Sequence, residues 1–135
     1  MRQELEIHGP LPGLNELIDA AKRGRTAGGV RHDRYTRLKR RWTAAVAAVA
    51  RAAGLQPVER AWLRFVWREP DRRRDPDNVA AGGRKLVLDG LVAAGVLPGD
   101  GWRAVAGWKD EFVVDAARPG VTVEIVACAG EENRR

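Results

Sequence analysis

Between Asp33 and Arg68 the hydrophobic period of the chain changes from that of a helix to that of a strand, which restricts the fold to classes that combine both elements. Tyr35, Leu38, Trp42, Val46, Val49 and Ala53 recur at spacings of three and four, one face of a helix. Asp33 stands where an N-cap belongs and Gly54 where a helix stops. From Ala61 the pattern switches: Ala61, Leu63, Phe65 and Trp67 alternate with Trp62, Arg64, Val66 and Arg68, the period of a half-buried strand. That strand ends at Glu69-Pro70. A second helix is predicted from Val79 to Ala94, with Val87, Leu88, Leu91 and Ala94 as its buried stripe and Gly95 as its stop. Gly82 and Gly83 weaken its first turns by about 1 kcal/mol each relative to alanine.

The flanking segments extend this alternation. Leu5 and Ile7 suggest a short strand ending at Gly9-Pro10, and Asn15 to Ala21 a helical turn. Lys22 to Gly29 reads as a basic loop and Leu97 to Gly101 as a turn. Two strands are expected around Arg103 to Lys109 and Val121 to Ala127, and residues 131–135 as a frayed tail. The order is strand, helix, strand, helix, strand, strand. There is no internal repeat and no long linker, so residues 1–135 are expected to form one α/β or α+β domain. A chain of 135 residues buries roughly 65–70% of its unfolded surface in one core.

The longest apolar run, Ala44 to Ala50, is too short to span a bilayer, and Met1 to Pro10 carries charges where a signal peptide would be apolar. Cys128 is the only cysteine, which excludes an internal disulfide and a cysteine-based zinc site. A cytoplasmic location without a membrane partner is therefore expected. The net charge of +6 favours an acidic partner, of which nucleic acid is the common one. The same charge has a second explanation: of the 24 basic residues only Lys22, Lys39, Lys85 and Lys109 are lysine, and a GC-rich genome produces such arginine enrichment unaided. Position has to decide between them.

The informative positions are Arg72-Arg73-Arg74-Asp75-Pro76-Asp77-Asn78, followed by Lys85, Asp89 and Asp100. Carboxylates bind a divalent cation, arginines bind phosphate, and a lysine stabilises charge as a P–O bond breaks. Pro76 pushes Asp75 into an extended conformation. If the following residues stay extended, Asp75 and Asp77 project from the same side. Asp100 would arrive from the turn after the next helix. Each piece also has a plainer reading. Asp-Pro-Asp-Asn suits a turn with an N-cap. Lys85 and Asp89, four apart on a helix, suit a surface ion pair, although Lys85 could instead lean back towards the helix N-terminus. The arginines suit a solvated run at a strand end.

Taken together, the basic run, Asp75-Pro76-Asp77-Asn78, Lys85, Asp89-Gly90-Leu91, Ala94-Gly95 and Asp100 resemble the RusA family of Holliday-junction resolvases, small dimeric endonucleases of phages and prophages. The resemblance is specific over residues 72–100. It implies an α/β (α+β) fold, a mixed sheet of about four strands with two main helices. It also implies that Asp75, Asp77 and Asp100 are catalytic carboxylates holding Mg²⁺ (with Mn²⁺ as a substitute), and that Lys85 assists catalysis. The expected partners are a four-way DNA junction and a second copy of the chain. Candidate DNA contacts are Arg72, Arg73, Arg74, Lys22, Arg23, Arg25, Arg31, Arg34 and Arg37. The alternatives are a flap or fork nuclease and a non-catalytic branched-DNA binder that keeps the fold. This chain departs from the shortest family pattern by the insertion Ala80-Ala81-Gly82-Gly83, and by Gly99 where a further aspartate is common.

Overall fold

The computed structural model describes residues 1–23 and 33–128. In chain order the elements are β1 (Arg2–His8), α1 (Leu14–Arg23), α2 (Asp33–Ala52), β2 (Ala61–Glu69), α3 (Pro76–Ala93), β3 (Val105–Val114) and β4 (Gly120–Ala127). The strands form one sheet in the order β1-β4-β2-β3. β4 runs antiparallel to both β1 and β2, whereas β3 runs parallel to β2. A parallel pair needs a connection that carries the chain back along the sheet, and α3 supplies it. The fold is α+β, with a mixed four-stranded sheet and three helices.

Strand alternation builds the core. Ala61, Leu63, Phe65 and Trp67 of β2, Leu5 and Ile7 of β1, and Val121, Val123 and Ile125 of β4 are buried on one face. Val46 and Ala50 of α2 and Val79, Leu86, Val87 and Leu91 of α3 join them in a single cluster. The Phe65 and Trp67 rings stack at 5.4 Å within it. The opposite face is open to solvent and mixes ion pairs with the exposed side chains of Trp62, Val113 and Val126. Arg64 donates to both carboxylate oxygens of Glu111 at 2.7 and 2.9 Å. That hydrogen bonding, with the charge of the guanidinium, holds the Glu111 carboxyl below the usual carboxylate range. Arg68 joins Glu6, Thr122 and the Arg118 carbonyl. A sheet apolar on one side and ion-paired on the other needs helices on only one face.

Three boundaries differ from the sequence reading. Asn15 to Ala21 is not a lone turn but the middle of a ten-residue helix, α1. Its Leu17 and Ala20 are buried, while Leu14 and Ile18 are partly exposed. Helix α3 starts at Pro76 rather than Val79, because proline suits the first helical position, where no N–H is needed. Strand β3 continues past Lys109 to Val114, paired along β2. The basic loop from Gly24 and the tail at 131–135 lie outside the described residues.

Gly82 and Gly83 are where α3 is approached most closely. A Cβ on Gly82 would lie 2.5 Å from the Leu14 backbone nitrogen, and one on Gly83 would lie 2.5 Å from the Trp67 ring. Their weak helix propensity is offset by contacts that only glycine permits. Gly82→Ala is therefore expected to destabilise the protein by about 1–3 kcal/mol through overpacking, despite the ~1 kcal/mol that alanine adds to an exposed helix. Thermal or urea unfolding measures this; a variant as stable as the parent would show that α1 does not rest on α3.

Candidate active site

The segment between β2 and α3 carries both cations and carboxylates, and the structure sorts them. Arg74 is turned inward: its guanidinium donates to both oxygens of Glu69 at 2.8 Å, and to the Leu11 carbonyl and Glu16. Hydrogen bonding to Glu69 and Glu16 raises its pKa further above the physiological range. This arginine ties the loop to the end of β2 and to α1, so it is not an open DNA contact. Arg72 and Arg73 are exposed, Arg73 being 3.5 Å from Asp71. Asn78 is structural too. Its Oδ1 accepts from the Asn15 backbone N–H at 2.7 Å, capping the first turn of α1.

Asp75 occupies the N-cap of α3 in an extended conformation, with φ −67° and ψ 147°, as the following proline requires. Its carboxylate makes no capping hydrogen bond to the helix. Asp77 is already inside the first helical turn, so the two aspartates do not alternate as strand residues. Both are exposed at the helix N-terminus, where the macrodipole favours negative charge. Beside them Arg72, Asp75, Pro76, Val79, Phe112, Val113 and Val114 line a pocket of about 520 Å³.

Lys85 and Asp100 lie elsewhere. Lys85 is eight positions on from Asp77, about 12 Å along a helix. Its ammonium is 3.4 Å from Asp89 Oδ1 and 3.9 Å from Asp100 Oδ2. It thus reaches forward to the turn after α3 and does not lean back over the helix N-terminus. Lys85 sits midway along α3, about two turns past Asp77, which brings its ammonium to Asp89 and Asp100 and not to the helix start. Asp89 also meets Lys39 of α2 at 3.7 Å. With Tyr35, Arg40, Thr43 and Asp100, these residues line a cleft of about 910 Å³ between α2 and α3.

The expected site residues therefore fall into two half-sites: Asp75, Asp77 and Arg72 at the start of α3, and Lys85, Asp89 and Asp100 from the middle of α3 to the turn beyond it. Among the described residues no three His, Cys, Asp or Glu side chains stand close enough to hold one metal ion. Of the remaining expected DNA contacts, Lys22, Arg34 and Arg37 are on exposed positions. Arg25, Arg31 and the side chain of Arg23 lie outside the described residues.

Sequence reasoning missed one polar group, on the helix-facing side of β3. Asp110 accepts from Trp67 Nε1 at 2.9 Å and from Arg84 at 2.6 Å, and Arg84 lies 4.6 Å from the Trp108 ring centre. The signal was Asp110 standing between Trp108 and Phe112 at a period of two.

Arg74→Ala should cost about 1–3 kcal/mol, because it removes a part-buried charged network. Arg72→Ala and Arg73→Ala should stay within about 0.5 kcal/mol, as exposed substitutions do. Chemical denaturation of the three variants separates these roles; equal losses would refute the sorting. No protein-family model matches this chain, and no curated protein matches it in sequence. No helix among the described residues is long and apolar enough to cross a membrane.

Proposed function

We propose that the protein is a metal-dependent, structure-selective endodeoxyribonuclease that cuts four-way DNA junctions as a homodimer. The observation that carries this reading is Asp75: an N-cap aspartate, exposed at a positive helix end, whose carboxylate the helix leaves unused. Asp77 in the next turn and the exposed Arg72 supply a second oxygen ligand and a phosphate contact beside it. Asp75 and Asp77 would hold Mg²⁺, which when bound would supply an activated water and positive charge at a scissile phosphate. Lys85 stands 3.9 Å from Asp100, and its exposed ammonium can turn to a DNA phosphate. Arg34, Arg37 and Arg40 extend a basic surface along α2 for the arms of the junction.

One chain alone offers an incomplete donor set, because α3 separates Asp75 and Asp77 from Asp100. A second copy supports a complete one. β3 is a sheet edge, and it runs from the Asp100 end of the molecule to the Asp75 end. A two-fold axis beside β3 would pair it antiparallel with its copy. The first half-site of one chain would then face the second half-site of the other, and the partly exposed Trp108, Phe112 and Val114 would be covered. Two such composite sites match the paired nicks that junction resolution requires. The separation within one chain also favours a second reading, a branched-DNA binder that does not cut.

Incubation with a synthetic four-way junction distinguishes the two, with and without Mg²⁺ and beside duplex and flap controls. Symmetric nicking that needs the metal is expected, and Asp77→Asn should keep junction binding while losing cleavage. Tight binding without nicking in any divalent metal would establish the binder instead. Mixing inactive Asp77→Asn and Asp100→Asn subunits tests the dimer. Random re-pairing of a two-fold dimer should restore about a quarter of the wild-type sites. No recovery after verified subunit exchange would place the whole site within one chain.

A further inference from the structure

The ion pairs at the Asp100 end of α3 form a chain across two helices. Lys39 stands 3.7 Å from Asp89 Oδ2, Lys85 stands 3.4 Å from Asp89 Oδ1, and the same Lys85 ammonium is 3.9 Å from Asp100 Oδ2. Exposure along this chain is uneven. The Asp89 side chain keeps 18% of its surface in water, against 49% for Lys85 and 52% for Asp100. Asp89 Oδ2 is fully withdrawn from solvent and accepts no hydrogen bond among the described residues. Lys39 approaches it only at ion-pair distance.

An ordinary surface pair at this helical spacing keeps both charges hydrated and contributes little. Asp89 does not fit that description. Withdrawing a carboxylate oxygen from water without a hydrogen bond is unfavourable, and the fold tolerates it here between two lysines. The residue is also held from behind. Gly90 beside it lets α2 approach closely, since a Cβ there would run into Val46 and meet the Thr43 carbonyl at 3.2 Å. Asp89 is thus the fixed member of the chain, while Lys85 and Asp100 are the accessible ones.

We propose that Asp89 is a positioning residue for Lys85. It holds one side of the ammonium at the rim of the α2–α3 cleft, so that the other side can exchange Asp100 for a phosphate of the bound DNA strand. A lysine stem is long and flexible, and an ammonium released from Asp100 without a second anchor would disperse into solvent. With Asp89 in place it stays next to Asp89 and Asp100, which line the cleft together with Lys39 and Arg40. This assignment rests on the nuclease reading for its purpose, but its geometry is a property of the free protein.

The test uses the intact protein and two readouts. Lysine ammonium groups held in ion pairs give resolvable ¹H–¹⁵N signals, and Lys22, Lys39, Lys85 and Lys109 are the only lysines in the chain. The wild type should show an ordered Lys85 signal. Asp89→Asn, which is isosteric, should remove it while leaving that of Lys109, which pairs with Glu111 at 3.6 Å. A Lys85 signal unchanged in Asp89→Asn would overturn the proposal whether or not the protein cuts DNA. The second readout is cleavage. Asp89→Asn should lower kcat by about 10- to 100-fold through misplacement of Lys85, with junction Kd weakened no more than by Lys85→Met. The double variant with Lys85→Met should be no slower than Lys85→Met alone. Additive losses would mean that Asp89 acts independently of Lys85 and would also overturn the proposal. A wild type that cuts no DNA would refute the nuclease reading, and the ammonium signals would then decide the positioning role alone.

Discussion

Parallel pairing of β2 with β3 obliges the chain to travel back along the sheet between them, and α3 is that return. An 18-residue helix spans about 27 Å. Whatever stands before α3 is therefore held at one end of the sheet, and whatever follows it at the other. Asp75 and Asp100 are separated by this geometry and not by any local feature of their loops. Lys85, midway along α3, reaches on to Asp89 and Asp100 and not back to Asp75.

The neighbourhood of α3 also explains which charged groups are committed and which are available. Gly82 and Gly83 let the start of α1 and the ring of Trp67 come against the helix. Asn78 then caps α1, and Arg74 joins Glu69 to Glu16 and the Leu11 carbonyl. These contacts fix the loop between β2 and α3 from the inside. Asp75, Asp77, Arg72 and Arg73 remain on its outer side, displayed by a rigid frame. Preorganised groups of that kind cost little to hold in place when a ligand arrives.

The parts legible in the sequence were those with an uninterrupted period. The stripe from Tyr35 to Ala53 and the alternation from Ala61 to Arg68 became the elements α2 and β2, although the buried face of α2 turns to Val46, Ala47 and Ala50 and leaves Val49 and Ala53 exposed. Helix α1 was harder, because Leu14 and Ile18 are partly exposed and blur its buried face. In strand β3 Asp110 interrupts the apolar row on the helix-facing side; its place in the row follows from the period of two, but its partners Arg84 and Trp67 do not. Pro76 was half legible: its effect on Asp75 followed from sterics, but the same ring also opens the helix and draws Asp77 into it. Within the site, the spacing of Lys85 and Asp89 pointed to the ion pair they make, but not to the contact of Lys85 with Asp100, and nothing in a run of arginines distinguishes the inward Arg74 from its exposed neighbours.

The edge strand bears on the proposed dimer from a different direction. Solvent-facing edges usually carry charges, prolines or bulges that discourage pairing with another chain, or else are short. Strand β3 is ten residues long and contains no proline, and its one irregularity, at Ala106 opposite the Ala61–Trp62 step, leaves the row from Gly107 to Val114 regular. Lys109 and Glu111 mark the face away from the helices, but the helix-facing row has Trp108, Phe112 and Val114 partly open to water. Such an edge is a liability for a protein that works alone. For a protein whose carboxylates stand at opposite ends of one helix, pairing this edge with its own copy answers both problems with the same symmetry operation, since the antiparallel arrangement that protects β3 also sets unlike half-sites side by side.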